Sequence, residues 1–588
     1  PRTSSGKIMR HKTKQMWLQG QFTVLSDFSR EKDAGKSHSD IHSSFAELKA
    51  RYNLTGLESY NLVEAGLDSL DLVVFTHELK ELLKDKGAEL LARQVDIGVI
   101  QRVSVAELFG LAEQLERAPE EALVHLRHSL AAFREEQCAA EKQMMSNDRK
   151  LIFELPVPSP MPETPVLNHV LLTGGTGFIG PFLIKSLLEQ TRAKIYVLVR
   201  SSDEKQGRQR LRAAMESMGP CGAGLMEMFE ARVIPVSGDL GQPKLGLMQD
   251  VWDFLAREID TVFHNGATVN YLYNYDLMRD ANVLGTNEVV RLAFEGRPKE
   301  FNYVSTTFVF GWAVKSVLYE TDLNENMELL DFGYSQSKWV AEQVVVDARS
   351  RGLSARIFRP ALVSPSVTGG GNNFDIAVRL VAFMVNHGIG VDTLNQVSFV
   401  PADIVANNIV AISTTPATAN KTYHVVRDDY SNMMDITGLI TKATGRQFEK
   451  FSLPDFVPEL IRRCRKEDLL FPLLDFLVGS VDNISAMEFK RYDSSSYQMA
   501  RDASVWGKPD PSLEDTVNGI LKFMYRKGII SVAAREVNAV SPMCERELTI
   551  ETHRRSTDCG ADCLQCMASA GDPECIEEIP KIEASEQV

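Results

Sequence analysis

The chain has 588 residues, of which 44% are hydrophobic and 24% charged, the balance of an ordinary globular protein. Single cores rarely exceed about 300 residues, so several domains are expected. The net charge of −15 argues against nucleic-acid partners, whose phosphates would repel the protein.

The sequence has neither a secretory signal nor an apolar run of transmembrane length. Its eight cysteines are too few for a disulfide framework in a chain of this size. We therefore expect a cytoplasmic protein without a transmembrane segment.

Composition divides the chain into five segments. Residues 1–37 are basic and then polar, and residues 38–120 show helical periodicity. Residues 121–165 are predicted to form a linker, because the closing run PVPSPMPETP cannot lie inside a helix. Residues 166–540 alternate short apolar runs with helical patterns, which indicates an α/β fold with a parallel sheet. Residues 541–588 form a polar tail.

The first segment opens with PRTSSGKIMR and continues HKTKQMWLQGQF. The first run resembles the closing motif of adenylate-forming enzymes, in which the lysine, here Lys7, contacts acyl and phosphate oxygens. The second resembles fatty acyl-AMP ligases. The resemblance implies an upstream adenylation domain, so we expect the chain to be part of a longer protein. A basic, flexible N-terminal arm is the alternative interpretation.

The second segment contains NLVEAGLDSLDLVVFTHELKELL, in which Asp68 and Ser69 precede an apolar pattern of helical spacing. Both are good residues for opening a helix, and capping alone would explain them. The GLDSL run resembles the attachment site of acyl and peptidyl carrier domains, which are four-helix bundles. The resemblance implies that Ser69 bears phosphopantetheine, added by a phosphopantetheinyl transferase.

The most informative run is HVLLTGGTGFIGPFLIKSLLEQ, beginning at His169. A buried strand, a T-G-x-x-G-x-x-G turn and an amphipathic helix follow one another, which is the dinucleotide-binding arrangement. Glycines in such a turn permit a tight bend and close approach of the backbone to a pyrophosphate. The predicted cofactor contacts in this run are Thr173, Gly174, Thr176, Gly177, Phe178, Ile179 and Gly180.

The next predicted strand, KIYVLVR, ends at Arg200 rather than at the acidic residue typical of NAD sites. A guanidinium suits the additional phosphate of NADP. We therefore predict NADPH as the cofactor, with Arg200 and Arg210 as contacts. For Arg210 and the neighbouring Arg208, a solvated surface position is an equally good interpretation.

Two later strand ends, GDL and HNGA, resemble the loops that contact adenine and ribose in extended short-chain dehydrogenase/reductases. This resemblance adds Asp239, Leu240, Asn265, Gly266 and Ala267 to the predicted cofactor site. His264 is interpreted as a hydrogen-bonded histidine at a strand end rather than as a catalytic group.

The run FNYVSTTFVFG is followed by YSQSK, in which Tyr334 and Lys338 lie four residues apart and share a helix face. A free tyrosine has a pKa of about 10, and a nearby ammonium would lower it. Surface tyrosine–lysine pairs with this spacing also arise by chance. Here the glycine turn and the hydroxyl-rich strand end accompany the pair.

Together these motifs resemble the thioester reductase domains of carboxylic acid reductases and of nonribosomal peptide and polyketide assembly lines. The resemblance implies a Rossmann-type extended short-chain dehydrogenase/reductase fold with a smaller C-terminal substrate subdomain. It implies NADPH-dependent reductive release of a carrier-bound acyl group as aldehyde or alcohol, with a fatty acyl group favoured by the ligase-like segment. Tyr334, Lys338 and Thr306 are the implied catalytic residues, Lys338 also binding the nicotinamide ribose, while Ser305 and Thr307 are weaker candidates.

The same resemblance assigns RPALVSPSVTGG, beginning at Arg359 and Pro360, to the loop flanking nicotinamide and substrate. Ala361 departs from the glycine common there, which affects loop geometry rather than chemistry. Phe399 to Ala406 resemble the segment that leads into the substrate subdomain.

Two other functions remain open: a redox-neutral releasing or cyclising domain, and a non-catalytic nucleotide-binding scaffold. Tyr334 speaks against the first, because such domains tend to lack this tyrosine. In the tail, Cys559, Cys563, Cys566 and Cys575 are weak candidates for a metal site, since their spacing fits no structural zinc pattern well. We expect a poorly ordered tail without metal.

Overall fold

The computed structural model describes residues 45–67, 69–85, 92, 95, 100, 103–110, 135–136, 138–154, 167–219, 222–313, 315–322, 327–330, 332–372, 375–480, 483–484 and 490–530. Lys7, Asp68, the side chain of Ser69 and the tail cysteines Cys559, Cys563, Cys566 and Cys575 lie outside these residues. Within them, no helix combines the length and apolar character needed to cross a membrane.

The strands are numbered in chain order. They are β1 (His169–Thr173), β2 (Lys194–Val199), β3 (Val233–Ser237), β4 (Thr261–His264), β5 (Glu300–Val304), β6 (Val317–Leu318), β7 (Ala355–Pro360), β8 (Leu362–Ser364), β9 (Ile389–Asp392), β10 (Gln396–Val397), β11 (Phe399–Pro401), β12 (Thr422–Val425), β13 (Ser431–Asn432), β14 (Glu449–Ser452) and β15 (Arg491–Tyr492).

The helices are numbered in the same way. They are α1 (Phe45–Arg51), α2 (Ser69–Asp85), α3 (Gly180–Gln190), α4 (Glu204–Glu216), α5 (Ala223–Arg232), α6 (Gln249–Glu258), α7 (Tyr275–Arg279), α8 (Gly285–Phe294), α9 (Gly333–Ser350), α10 (Ile376–His387), α11 (Ala402–Ser413), α12 (Met433–Thr444), α13 (Leu453–Arg463), α14 (Leu474–Gly479), α15 (Ser495–Asp502) and α16 (Leu513–Arg526).

Seven parallel strands form the central sheet, in the order β12-β7-β5-β4-β1-β2-β3. The strands read as continuous apolar runs because both faces are buried. Successive side chains point to opposite faces, so Leu171 packs with α6, α8 and α9, whereas Leu172 packs with α3 and α11. The predicted α/β class with a parallel sheet is confirmed.

The strand order reverses beside β1, because the chain moves from β3 at one edge to β4 on the other side of β1. In open α/β sheets, such a switch point leaves a crevice at the carboxyl ends of the strands. The loops after β1 and β4 therefore border this crevice, and they are the loops that carry the glycine turn and the HNGA run.

A smaller subdomain follows the sheet along most of its chain. Helices α10, α12, α13 and α16 share one hydrophobic core with β9, which pairs in parallel with β14. The predicted lead-in segment, Phe399 to Ala406, forms β11 and the start of α11. Strand β11 pairs with β8, and α11 packs back onto the central sheet.

The N-terminal helices α1 and α2 enclose a separate small core with residues 103–109, centred on side chains such as Phe75 and Leu79. Helix α2 also contacts the C-terminal subdomain. Lys466 Nζ lies 3.2 Å from Glu78 Oε1, and the His77 and Phe471 rings meet edge to face at 5.8 Å.

Part of the predicted linker packs as structured chain. Residues 138–148 are helical except for a short turn at their end, and the buried Asp148 forms a bidentate ion pair with Arg279 at 2.6 and 2.7 Å. Tyr275 also donates a hydrogen bond to Asp148. These contacts attach the segment to α7, so its last residues do not act as a free spacer.

Candidate active site

The glycine turn after β1 is packed too closely for side chains. Gly174 has a φ of +74°, and a Cβ there would lie 2.7 Å from the backbone of Gly266. A Cβ on Gly180 would lie 2.2 Å from Gly174 O, so α3 begins directly against the turn. The backbone is thus exposed at the start of a helix, the arrangement that receives a pyrophosphate.

The loop after β4 is hydrogen-bonded to this turn. Asn265 Nδ2 donates to Gly174 O at 3.2 Å, and Gly266 N donates to Thr173 Oγ1 at 2.9 Å. Leu240 packs against the same place, because a Cβ on Gly266 would lie 2.6 Å from Leu240 Cδ1. These predicted cofactor residues therefore form one assembly.

Arg200 lines a cavity of about 730 Å³, together with Glu204, Gly238 and Asp239; we call it the arginine cavity. Both Arg200 and Arg210 are exposed, and a guanidinium nitrogen of Arg210 donates to Arg200 O. Burial and the charge of Arg200 lower the pKa of Arg210. Two cations thus stand side by side at the end of β2.

Arg208 occupies a different environment. Its guanidinium lies 3.4 Å from Glu204 and 3.3 Å from Glu230. These ion pairs on the helix surface agree with the interpretation of Arg208 as a surface charge.

His264 is held between two threonines under the glycine turn. Its Nδ1 is 2.7 Å from Thr173 Oγ1, and its Nε2 is 2.8 Å from Thr286 Oγ1. Burial, and secondarily the charge of Lys338, lower the pKa of this imidazole to about 3. The ring is therefore neutral at physiological pH and hydrogen-bonded at both nitrogens, as the sequence interpretation requires.

The predicted catalytic and cofactor-binding residues meet in one cavity of about 410 Å³, which we call the central cavity. The glycine turn forms one wall and the beginning of α9 another. Its lining includes Gly174, Thr176, Gly177, Phe178, Ile179, Asn265, Ala267, Thr306, Tyr334 and Lys338. Tyr334 is thus beside the glycine-rich turn.

The electrostatic environment of Tyr334 differs from the predicted one. Burial raises the pKa of its phenol above the ordinary value, and the nearby carboxylate of Asp375 raises it further. A hydrogen bond from the Thr306 side chain acts in the opposite direction. Lys338 is not among the groups that shift this pKa, so the phenol stays protonated at neutral pH.

Lys338 points from α9 towards the end of β5. Its Nζ donates to Val304 O at 2.8 Å and lies 4.2 Å from the ring centroid of Tyr303. Burial lowers the pKa of this ammonium to about 7, although the charge of Glu342 opposes the shift. The expected tuning of Tyr334 by Lys338 is therefore absent from this arrangement.

The three candidate hydroxyls after β5 have different partners. Ser305 donates to the buried carboxylate of Glu342, and Thr307 forms a side-chain hydrogen bond with Tyr492. Thr306 is the one of the three that bonds Tyr334. The structure thus separates hydroxyls that the sequence alone could not.

Arg359 does not flank the central cavity as expected. It is buried and pairs with Glu342, with one Nη2–Oε1 distance of 2.6 Å. The sequence assignment is wrong for this residue, because its guanidinium braces β7 against α9. Pro360 and Ala361, the next two residues, do line the cavity.

Sequence reasoning missed Tyr271 and Asp375, which also line the central cavity. Tyr271 OH donates to Asp375 Oδ1 at 2.7 Å, and its ring lies 6.0 Å from that of Tyr334. Burial raises the pKa of the Asp375 carboxyl. The aromatic run NYLYNY around Tyr271 was the available signal, but it has no fixed spacing from the other motifs.

Comparisons with known proteins agree with this geometry. The NAD-binding family described as male sterility protein matches residues 172–409. The solved terminal R domain from the myxalamid PKS-NRPS biosynthetic pathway is 34% identical. The match covers 66% of this chain and 98% of that one, with a TM-score of 0.61.

The L-2-aminoadipate reductase large subunit of Candida glabrata is 33% identical over 346 residues, which are 54% of this chain and 24% of the relative. The chain spans between 6% and 40% of the length of the curated relatives that it matches. A thiolation-reductase di-domain from an archaeal nonribosomal peptide synthetase has the same fold. At 19% identity, it covers 84% of this chain and 99% of its own, with a TM-score of 0.60.

Proposed function

This chain belongs to the family of reductase domains found in polyketide and nonribosomal peptide assembly lines, and from that premise we propose that it releases a carrier-bound acyl thioester by NADPH-dependent reduction. The product is an aldehyde or an alcohol. The observation that carries the proposal is the central cavity, which unites the glycine turn with Tyr334, Thr306 and Lys338.

The residues present fit a nicotinamide dinucleotide. The turn at Gly174 and Gly180 has no room for a Cβ, as required where backbone contacts a pyrophosphate. Arg200 and Arg210 stand where the ribose phosphate of NADP would need cations, which supports NADPH over NADH. When bound, the reduced nicotinamide supplies a hydride to the thioester carbonyl carbon.

The chain's own groups handle the carbonyl oxygen. Tyr334, kept protonated by burial and by Asp375, donates a hydrogen bond and then a proton to the oxygen as negative charge develops. Thr306 orients the phenol, so a donor is already in place where charge appears. The resulting thiohemiacetal loses its C–S bond and yields an aldehyde and a free thiol.

We propose that residues 38–120 are the carrier domain and that Ser69 bears the phosphopantetheine arm. The similarity to the thiolation-reductase di-domain extends over 84% of this chain, which supports this assignment. Tethering would make delivery of the acyl group effectively intramolecular. A phosphopantetheinyl transferase and an upstream adenylation domain complete the proposed pathway, and the ligase-like start of the chain favours a fatty acyl group.

The test is NADPH oxidation by the purified chain with the octanoyl thioester of pantetheine, the product being identified by mass spectrometry. We expect Tyr334→Phe to lower kcat roughly 100-fold or more, the range for loss of a general acid. The matched control is Tyr319→Phe, since Tyr319 is 53% exposed. A cyclised product without NADPH oxidation would instead support redox-neutral release, and cofactor binding without turnover would support a scaffold.

A further inference from the structure

A second cavity, of about 220 Å³, adjoins the central cavity; we call it the side pocket. Phe308 and Ala361 line both cavities. Thr306 faces the central cavity, while the next residue, Thr307, lines the side pocket. A carbonyl group held at Tyr334 could therefore extend its chain past Phe308 into this space.

The walls of the side pocket are largely aromatic and aliphatic, with Trp312, Phe332, Leu362, Val397, Tyr430 and Tyr492 among them. Such a lining binds hydrocarbon by removing apolar surface from water. Polar groups in the wall are engaged there. Asn395 Nδ2 donates to Ile484 O at 2.6 Å, and Tyr430 OH donates to Tyr492 O at 2.8 Å.

One cation lines this apolar pocket. Lys490 is only 9% exposed, its Nζ donates to Gly311 O at 3.0 Å, and it lies 5.7 Å from the Tyr492 ring centroid. Burial lowers the pKa of this ammonium to about 8, so it remains mostly cationic at neutral pH. A cation with little access to water interacts strongly with an anion that enters the same space.

We propose that the side pocket binds the chain of the acyl group and that Lys490 selects chains ending in a carboxylate. This inference rests on the proposed function and specifies its substrate class: half-thioesters of dicarboxylic acids. The apolar walls hold the methylene groups, and the ammonium pairs with the terminal carboxylate. A purely structural Lys490 would instead support the Gly311 turn and serve every substrate equally.

The experiment compares two thioesters of pantetheine that share a chain length, octanoyl and suberoyl, in the full chain. We expect wild-type protein to show a higher kcat/KM for the suberoyl thioester. Lys490→Met should lower that value roughly 10- to 100-fold, the range for loss of a hydrogen bond to a charged group. Its effect on the octanoyl thioester should stay within about twofold, a change too small for a lost charge pair.

Two further variants sharpen the comparison. Lys490→Arg keeps the cation and should retain the suberoyl preference. Lys442→Met removes a lysine on the exposed face of α12, paired with Glu514, and should change neither substrate. Equal losses for both thioesters in Lys490→Met would overturn the proposal, as would a wild-type preference for octanoyl.

Binding of the corresponding non-reducible amides, octanoyl and suberoyl cysteamine, is measured by calorimetry in parallel. Tighter binding of the suberoyl amide by wild type, lost in Lys490→Met, would support the inference even without turnover. Equal affinity for the two amides would overturn it. Absence of NADPH oxidation with either thioester would refute the proposed function instead, so the two failures are distinguishable.

Discussion

Thr306 hydrogen-bonds Tyr334 inside the central cavity and is the group that counteracts the rise in the pKa of this buried phenol. Thr306 is itself fixed, because its Oγ1 accepts a hydrogen bond from Phe308 N at 3.2 Å. The backbone after β5 thus sets the position of the hydroxyl, and the hydroxyl sets the orientation of the phenol.

Thr306→Val should lower kcat by roughly 10- to 100-fold, because the phenol loses its orienting partner and one donor near the developing oxyanion. Thr306→Ser keeps the hydroxyl and should restore most of the activity. Steady-state kinetics with a saturating thioester measure the effect. A valine variant with wild-type kcat would remove Thr306 from the mechanism.

The rate should depend on pH through Lys338. Its ammonium has a pKa of about 7, so it is cationic below that pH and neutral above it, whereas Tyr334 stays protonated throughout. We expect kcat/KM to be highest below about pH 7 and to fall as the pH rises through that value. Lys338→Met should be slower and lack this transition. A wild-type rate that increases above pH 7 would contradict the assignment.

Stability provides a second readout for Lys338. The folded state releases this proton near pH 7 and the unfolded state near 10.5, so burial of the cation destabilises the fold fully below pH 7. The penalty disappears as the pH rises to the unfolded value. Lys338→Met should therefore increase the free energy of unfolding more at pH 6 than at pH 10, as measured by urea denaturation.

Gly180→Ala should impair cofactor binding, because its Cβ would lie 2.2 Å from Gly174 O. The turn must shift to relieve this backbone clash, and the pyrophosphate site shifts with it. The matched control is Gly224→Ala, also helical, with nothing within 4 Å of the added Cβ. The control should stabilise its helix by about 0.5–1 kcal/mol. NADPH fluorescence titration and thermal unfolding separate the two effects.

Arg200→Ala should weaken NADPH binding about tenfold and leave NADH binding nearly unchanged, because only NADPH carries the additional phosphate. Arg208→Ala is the control, since Arg208 is paired with Glu204 and Glu230. Titration of both nucleotides against each variant measures the ratio. An equal loss for NADPH and NADH would argue against phosphate recognition by Arg200.

Lys466→Glu should slow reduction of an acyl group attached to this chain by a few fold, because it places a second acid beside Glu78 on α2. The effect should be modest and salt-dependent, as for other partly exposed ion pairs. A free pantetheine thioester should be reduced at the wild-type rate. Lys442→Glu is the matched control, and unchanged reduction of the attached acyl group would exclude this contact from delivery.

The sequence could predict the parts of the site that depend on local spacing. The glycine turn has its own strand and helix, and Tyr334 and Lys338 share one helix, so their proximity follows from the helical repeat. The α/β class followed from alternating apolar runs and helical patterns. These features require no knowledge of long-range contacts.

The remaining parts depend on distant segments that only the fold brings together. Asp375 meets Tyr271 across about a hundred residues of sequence, and it affects the pKa of Tyr334 more directly than the predicted Lys338 does. Arg359 looked like a cavity residue because its neighbours are, but its partner Glu342 lies on another element. Side-chain pairing between elements has no signature in a single sequence.

The ion pair between Asp148 and Arg279 determines where the leash of the N-terminal helical unit is tied. Because residues 138–154 contact the reductase core, the covalent path available to that unit begins at residue 138 rather than at the first strand. From residue 110 it comprises roughly 28 residues and cannot exceed about 100 Å when fully extended. Any journey by the N-terminal unit to a distant activating site is limited by that radius, unless the acidic anchor lets go.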